Sequence, residues 1–193
     1  MNSSFFSKNQ FKLNEIDSTN KFLIDLDKIK HFKEPVVVTA EFQTRGKGRK
    51  TNSWESNRSE NLLISILFKH KLNIEKQFLF SATVSLSILE LISEFTNEKV
   101  YIKWPNDILI SDRKVAGFII ENLLQKNIIH TSVVGIGINI NQRSFNKYNP
   151  EATSLSIITN SEYNILLIKD KFLKILEKNY KKMDVSFIKK YNK

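Results

Sequence analysis

The sequence predicts an α+β fold in which helices pack against a mixed β-sheet. Apolar runs of strand length and amphipathic runs of helix length occur in the same chain, without the regular alternation that produces a parallel sheet. An apolar share of 41%, with 14 Phe among 193 residues, supplies a sizeable core. The chain has no internal repeat, linker or break in composition. We therefore expect one domain at residues 1–193.

The first half of the chain predicts two helices and two strands. Residues 18–20 are Ser-Thr-Asn, and any of them suits the N-cap of a helix that begins near residues 21–26. Residues 36–40 and 62–68 have the apolar, β-branched character of buried strands. A long, largely buried helix is expected at about residues 75–95. Its apolar positions at helical spacing are Phe78, Leu79, Ala82, Leu86, Leu89 and Ile92.

The second half predicts four strands and a helix. Residues 100–104 form a short strand, and residues 108–110 and 115–120 form a hairpin around a polar turn. Residues 128–140 form the longest predicted strand. An amphipathic helix is expected at about residues 162–181. Its apolar stripe is Ile165, Ile168, Phe172, Ile175 and Tyr180.

The longest predicted strand has two different faces. Alternate residues from Val134 to Ile140 are large and apolar, whereas Gly135, Gly137 and Asn139 point to the opposite face. Glycine in a strand often marks a close approach of another group to the backbone. We therefore expect a ligand to lie against bare backbone on the glycine face.

A cationic loop at residues 43–50 is the first candidate functional segment. It contains two glycines and four cations, which are Gly46, Gly48, Arg45, Lys47, Arg49 and Lys50. Backbone N–H groups and charged side chains of such a loop bind anions. The loop lacks the G-x-x-x-x-G-K-[ST] pattern and the third glycine of G-x-G-x-x-G. Its composition alone therefore leaves a phosphate loop and a solvated basic turn as equal alternatives.

Two other segments carry candidate functional side chains. Lys103, Asn106 and Asp107 surround Pro105 and offer a lysine, an amide and a carboxylate to phosphates and a metal. The alternative is a strand end with Asn-Asp turn chemistry. Lys114 follows the hairpin turn, where a positioned lysine holds a carboxylate or developing phosphate charge. The alternative for Lys114 is an ordinary solvent-exposed lysine.

Composition limits the other classes of function. A net charge of +10 suits either nucleic-acid binding or a lysine-rich surface. Zero cysteines exclude disulfides, thiolate metal sites and a cysteine nucleophile, and they fit a reducing compartment. No apolar run approaches the roughly 18 residues of a membrane span, and the N-terminus lacks a secretory signal. The three histidines lack metal-ligand spacing. We expect a cytoplasmic protein.

Together these segments resemble the catalytic domain of biotin protein ligases. The resemblance covers about residues 11–141, with the motifs at 16–141, and lies in the order and spacing of the motifs. They are Ile16-Asp17-Ser18-Thr19-Asn20, Gln43-Thr44-x-Gly46-x-Gly48-Arg49, Trp54, Asn61-Leu62, Lys103-Trp104-Pro105-Asn106-Asp107, Asp112-Arg113-Lys114-x-Ala116-Gly117 and Gly135-x-Gly137-Ile138-Asn139. The implied fold is that of class II aminoacyl-tRNA synthetases and biotin protein ligases.

The resemblance implies a two-step reaction. Biotin and ATP, with Mg²⁺, form biotinyl-5′-adenylate and pyrophosphate, and a lysine of a biotin carboxyl carrier protein then attacks the adenylate. The implied biotin-binding residues are Ser18, Thr19, Asn20, Gln43, Gly46, Lys47, Gly48, Arg49, Lys114, Gly117 and Gly135. The implied ATP-binding residues are Arg49, Trp54, Lys103, Asn106, Asp107 and Asn139. Lys114 and Arg49 are the implied catalytic residues, and Asp107 is the candidate metal ligand. The loop at residues 46–54 is expected to be mobile without ligand.

The sequence departs from the family pattern in several places. Lys47 replaces the usual arginine, which keeps the charge but loses the planar fork, and Thr51 and Asn52 replace a Gly-Arg pair of some members. Because the motifs start by residue 16 and the chain ends soon after the last predicted helix, we expect neither the N-terminal DNA-binding domain of regulatory members nor the C-terminal β-barrel of the family. We therefore expect no repressor role, no DNA or membrane partner, and a monomer or homodimer.

Three alternatives to a biotin protein ligase remain open at this stage. One is a lipoate-type ligase or acyltransferase of the same fold. The second is a basic nucleic-acid-binding module, which the lysine content favours. The third is a degenerate ligase that binds biotin but turns over poorly, which the missing barrel motivates.

Overall fold

A computed structural model describes residues 5–50 and 52–183 of the chain. Its strands are β1 (Gln10–Ile16), β2 (Val36–Gln43), β3 (Asn61–Asn73), β4 (Val100–Lys103), β5 (Asp107–Ile110), β6 (Arg113–Gln125) and β7 (Ile128–Asn139). Its α-helices are α1 (Thr19–Lys30), α2 (Gln77–Ser93), α3 (Leu155–Thr159) and α4 (Ile165–Lys181), and a 3₁₀ turn (Ile74–Lys76) precedes α2. No helix of the described residues is both long enough and apolar enough to cross a bilayer.

The strands form one mixed sheet of seven strands in the order β1-β2-β3-β7-β6-β5-β4. β1 and β2 are parallel, and every other neighbouring pair is antiparallel. Helices and a mixed sheet in one chain confirm the predicted α+β class. The apolar face of β7, including Ile136 and Ile138, packs with α2 and α4 in the larger core. The opposite face carries α1, whose Leu23 packs against Val38 and Val133.

The expected buried stripe of α2 is wrong in detail. Phe78 is 52% exposed, whereas Thr83, Ser85 and Ser87 are buried. The reason is that α2 is covered both by the sheet and by α4, and small residues let α4 approach closely. The three hydroxyls donate to backbone carbonyls one turn earlier, which satisfies them inside the core. Asn179 of α4 donates to the Ser87 hydroxyl at 3.1 Å.

Most other boundaries agree with the expected ones to within a few residues. The Ser18 side chain accepts from the Lys21 N–H and caps α1, as one of the polar residues before this helix was expected to do. β6 continues to Gln125, five residues past the expected hairpin strand. Two elements had no sequence prediction, β1 and α3. β1 is an edge strand with a mostly exposed surface, so its sequence lacks an apolar pattern.

Candidate active site

A cavity of about 790 Å³ opens on the face of the sheet that carries α1. Its floor is formed by the glycine face of β7 and the adjoining residues of β6. In one row across the sheet, Gly137 lies between Leu63 and Gly117. In the next row, Gly135 lies between Ser65 and Ile119. The absence of large side chains at the glycines leaves room above the sheet, and other elements place their side chains there.

Lys114 and Asp107 meet at one end of the cavity. Lys114 Nζ lies 2.8 Å from Asp107 Oδ1, and both side chains are more than two-thirds shielded from solvent. A Cβ atom at Gly117 would stand 3.1 Å from Lys114 Cε and 3.3 Å from Asp107 Oδ1. Gly117 therefore provides the space in which the ion pair lies flat against the strand.

The backbone of Lys114 is fixed by the segment that follows β7. Lys114 N–H donates to Glu151 O at 2.7 Å, and Thr153 N–H donates to Lys114 O at 2.8 Å. Asn139, at the end of β7, donates its Nδ2 to Thr153 O at 2.9 Å. These bonds add a short parallel bridge beside β6 and connect Lys114 to the floor of the cavity.

A polar cluster occupies the opposite end, where α1 begins. Thr19 N and Thr19 Oγ1 lie 2.8 and 2.9 Å from Gln43 Oε1. Ser65 Oγ lies 2.7 Å from Thr19 Oγ1 and 2.6 Å from Asn20 Oδ1. The Nδ2 group of Asn20 donates to Glu121 Oε2 at 2.8 Å. The cluster joins α1, β2, β3 and β6 at one point.

The cationic loop covers the cavity and places Trp54 inside it. Trp54 N–H donates to Gly46 O at 2.9 Å, and a Cβ atom at Gly46 would stand 2.6 Å from Trp54 O. The indole lies directly on Gly137, where a Cβ atom would be 2.2 Å from Trp54 Cε2. Lys114 Nζ lies 5.5 Å from the centre of an indole ring, within cation–π range.

A side-chain contact connects Glu55, which follows the cationic loop, to the segment after β7. Glu55 accepts hydrogen bonds from the Tyr148 hydroxyl and, at 2.9 Å, from Asn146 Nδ2. The bond to Glu55 is the main cause that raises the pKa of Tyr148 above its usual value, because it stabilises the protonated phenol. Both segments line the cavity, so this contact closes one side of it.

Comparison with known proteins shows which family the chain belongs to. The model of the biotin/lipoate A/B protein ligase family matches residues 13–139, about two-thirds of the chain. The chain belongs to this family.

Several relatives agree with this assignment. The bifunctional ligase/repressor BirA of Escherichia coli is 33% identical over 128 residues, which are 66% of this chain and 39% of the relative. BirA of Bacillus subtilis is 29% identical over 152 residues, 77% of this chain and 46% of the relative. The chain therefore spans less than half the length of these two relatives.

Solved structures give the same result for the fold. The biotin protein ligase of Aquifex aeolicus, in complex with biotin and ATP, is 31% identical with a TM-score of 0.72, over 94% of this chain and 75% of that one. The ligase of Leishmania major, in complex with biotin, has a TM-score of 0.81 at 20% identity, over 96% of this chain and 80% of that one. The latter similarity shows the fold alone.

Nearly all the site residues predicted from the family resemblance surround this one cavity. Its lining includes Ser18, Thr19, Asn20, Gln43, Lys47, Gly48, Arg49, Trp54, Lys103, Asn106, Asp107, Lys114, Gly117, Gly135 and Asn139. Gly46 does not line it, and its structural neighbour is the Trp54 backbone. Lys103 and Arg49 are exposed at the rim, whereas Asn106 Nδ2 donates to Phe118 O at 3.0 Å. Thr51 lies outside the described residues.

The expectation of a ligand against bare backbone on β7 stays a prediction, and Gly135 and Gly137 do line the cavity. Asn20 Oδ1 would be 2.4 Å from a Cβ atom at Gly135, and the Trp54 indole covers Gly137. Both glycines also make room for side chains of the protein itself. Their sequence pattern indicated a close approach but could not show which group approaches.

Sequence reasoning missed several residues of the site in this family member. Ser65 and Glu121 hold Asn20 from behind, and Tyr148 and Ala152 line the cavity from the segment after β7. Ser65 lies within an apolar strand, where a lone serine gives no signal. The segment after β7 reaches the site through tertiary bonds to Lys114, Asn139 and Glu55.

The described residues include no group of three or more acidic or histidine side chains arranged to hold a metal ion. Asp107 is one of the carboxylates that line the cavity. Its buried Oδ1 accepts no hydrogen bond of good geometry within the described chain, although Lys114 Nζ is 2.8 Å away. Mg²⁺ is commonly bound by one or two carboxylates together with substrate phosphates. Asp107 fits such an ion arriving with a nucleotide, and it does not form a metal site by itself.

Proposed function

We propose that this chain is a biotin–[biotin carboxyl carrier protein] ligase. It forms biotinyl-5′-adenylate and pyrophosphate from biotin and ATP, and then transfers biotin to a carrier lysine. The observation that carries the proposal is the convergence of the predicted biotin and ATP residues on one cavity, in a member of the biotin/lipoate ligase family. The similar ligase of Aquifex aeolicus, solved with biotin and ATP, supports both substrates.

Lys114 is the residue that we assign to the reacting carboxylate. Adenylation brings an anionic carboxylate onto an anionic α-phosphate, so a fixed cation is needed where the two approach. The Lys114 backbone is bonded on both sides, and its Nζ is held by Asp107. The amine is therefore aimed before substrate binds, and the substrate carboxylate competes with Asp107 for it.

The other cations of the site face the triphosphate in this proposal. Arg49, Lys47 and Lys103 are exposed at the rim, so their side chains can move toward the phosphates at little cost. Arg49 retains the adenylate through its planar fork. Asp107 would hold a Mg²⁺ ion that enters with ATP, and the ion would neutralise further phosphate charge.

The adenine is assigned to Trp54 and Asn139. Trp54 Nε1 and Asn139 Oδ1 are buried without a hydrogen-bond partner in the part of the chain that the structure describes. An amide oxygen accepts from an exocyclic amine, and an indole provides a stacking surface. A nucleobase amine that donates to Asn139 Oδ1 satisfies a buried polar atom that costs free energy in the free protein.

In the second step the ε-amine of the carrier lysine attacks the carbonyl carbon of the mixed anhydride. The C–N bond forms as the bond to AMP breaks, and Lys114 stabilises charge on the leaving phosphate. We place the reaction in the cytoplasm, because a chain of 193 residues without cysteine suits a reducing compartment. The acting species is a monomer or a homodimer, and DNA is not a partner in this proposal.

The test is biotin-dependent exchange between ATP and labelled pyrophosphate, followed by transfer to a biotin carrier domain. We expect exchange with biotin and labelling of a single carrier lysine. Exchange with lipoate but not with biotin would reject the proposal in favour of a lipoate-type ligase. Exchange without transfer would limit the chain to the first step.

A further inference from the structure

The polar cluster at the start of α1 has fewer hydroxyl hydrogens to donate than it has short O···O contacts. Three O···O distances of 2.6, 2.7 and 2.9 Å join Asn20 Oδ1, Ser65 Oγ, Thr19 Oγ1 and Gln43 Oε1 in a chain. The two end atoms are amide oxygens, which only accept, and the two middle atoms are hydroxyls with one hydrogen each. Two hydrogens cannot fill three contacts.

The orientation of the Asn20 amide creates this shortage. The Glu121 carboxylate accepts only, so Asn20 must direct Nδ2 toward it, at 2.8 Å, and Oδ1 toward Ser65. With the amide turned round, Nδ2 would donate to Ser65, and the two hydroxyl hydrogens would fill the other two contacts. Glu121 excludes that arrangement because its oxygen would then face the amide oxygen.

The Asn20 side chain is too tightly packed to move away from Ser65. It is 3% exposed, and its Oδ1 lies where a Cβ atom at Gly135 would be 2.4 Å away. At the other end, the Gln43 amide is fixed because its Oε1 also accepts the Thr19 N–H at 2.8 Å. When the Ser65 hydroxyl fills its shortest contact, the one to Asn20 Oδ1, the Thr19 oxygen receives no hydrogen from Ser65. Free lone pairs then lie at Thr19, beside Gln43, and both residues line the cavity.

We propose that Glu121 is a positioning residue that, through Asn20 and Ser65, makes this end of the cavity an acceptor for a ligand N–H group. The inference rests on the proposed function and names its selectivity. A substrate with N–H groups at one end and a carboxylate at the other fits a site with acceptors here and Lys114 at the far end. A dithiolane ring, which has no N–H donor, gains nothing from the acceptors.

The test is calorimetric binding of biotin and of lipoate to the full chain without ATP. Glu121→Gln supplies its own N–H to Asn20 Oδ1 and lets the amide turn, so we expect biotin affinity to fall about tenfold while lipoate affinity and the melting temperature stay unchanged. Glu98→Gln, at an exposed position, is the matched control and should bind biotin like the wild type.

A second variant tests the direction of the chain of bonds. In the double variant Asn20→Asp with Glu121→Gln, the amide and carboxylate exchange places, so Ser65 again donates to an acceptor at position 20. We expect most of the lost biotin affinity to return. Wild-type affinity in Glu121→Gln overturns the proposal. A fall in melting temperature with equal weakening of both ligands overturns it too, since that is a structural effect. A wild-type chain that does not bind biotin rejects the proposed function itself.

Discussion

Lys114 Nζ and Asp107 Oδ1 are 2.8 Å apart above Gly117, and the glycine leaves no more room than this pair requires. The salt bridge thus holds a lysine in a fixed direction without a large side chain beneath it. An exposed hairpin lysine, the alternative that the sequence left open, would have no such partner. The geometry favours a lysine that is positioned to meet an anion.

Lys114→Ala should therefore abolish adenylation far more than folding. We expect biotin-dependent pyrophosphate exchange to fall about 100- to 1000-fold, the usual cost of removing a group that stabilises developing charge. The melting temperature should change little, because a partly exposed ion pair contributes little to stability. Lys33→Ala, at an exposed lysine outside the cavity, is the control. An unchanged exchange rate would remove Lys114 from the mechanism.

Gly137→Ala should displace Trp54 from the floor of the cavity. The new methyl group would lie 2.2 Å from Trp54 Cε2, so the indole must move. We expect a tenfold or greater rise in the KM for ATP. In a Trp104→Phe background, Trp54 is the remaining tryptophan, so its emission should shift to the red. Ile138→Val, on the opposite face of the same strand, controls for strand packing. The idea fails if the emission of Trp54 does not change.

The burial of His70 beside Tyr180 of α4 should make the free energy of unfolding depend on pH. His70 lies 3.2 Å from the Tyr180 hydroxyl and 2.9 Å from Ser132 Oγ, and burial lowers its pKa from 6.5 to about 4. Between these two values His70 is protonated in the unfolded chain but neutral in the folded chain. The free energy of unfolding should therefore fall as the pH decreases from about 6.5 to about 4. Urea titrations at several pH values check this. His70→Gln should flatten the curve in that window, and an equally steep curve would contradict the assignment.

The sequence predicted the strands and helices best where one apolar pattern dominates, as in β7 and α4. It predicted α2 but not its buried face, where Phe78 is exposed and Ser85 buried, because burial there depends on a second helix that packs from the other side. The site residues were predicted from the resemblance, not from local patterns. The role of Ser65 could not be predicted from the sequence, because it depends on Thr19, which is 46 positions away.

Asn61 has a structural role that the motif alone did not reveal. Its Oδ1 accepts the Ile140 N–H at 2.9 Å and its Nδ2 donates to Gln142, so it fixes the chain as β7 ends. Asn61→Ala leaves buried polar groups unpaired and should lower the free energy of unfolding by about 1–3 kcal/mol. Asn97→Ala, at an exposed position, should have no effect. Equal urea midpoints for the two variants would refute this role.

Arg49→Gly should loosen the hold on the adenylate. Arg49 is exposed on the loop that covers the cavity, and its planar fork is the group best suited to retain a phosphate. We expect faster release of biotinyl-adenylate and labelling of many lysines on a bystander protein. Lys50→Gly is a matched control, since it removes a neighbouring cation at a residue with φ of 59°, where glycine is unstrained. If both variants label the bystander equally, charge alone retains the adenylate and Arg49 has no special part. If Arg49→Gly labels only the carrier lysine, the retention role is wrong.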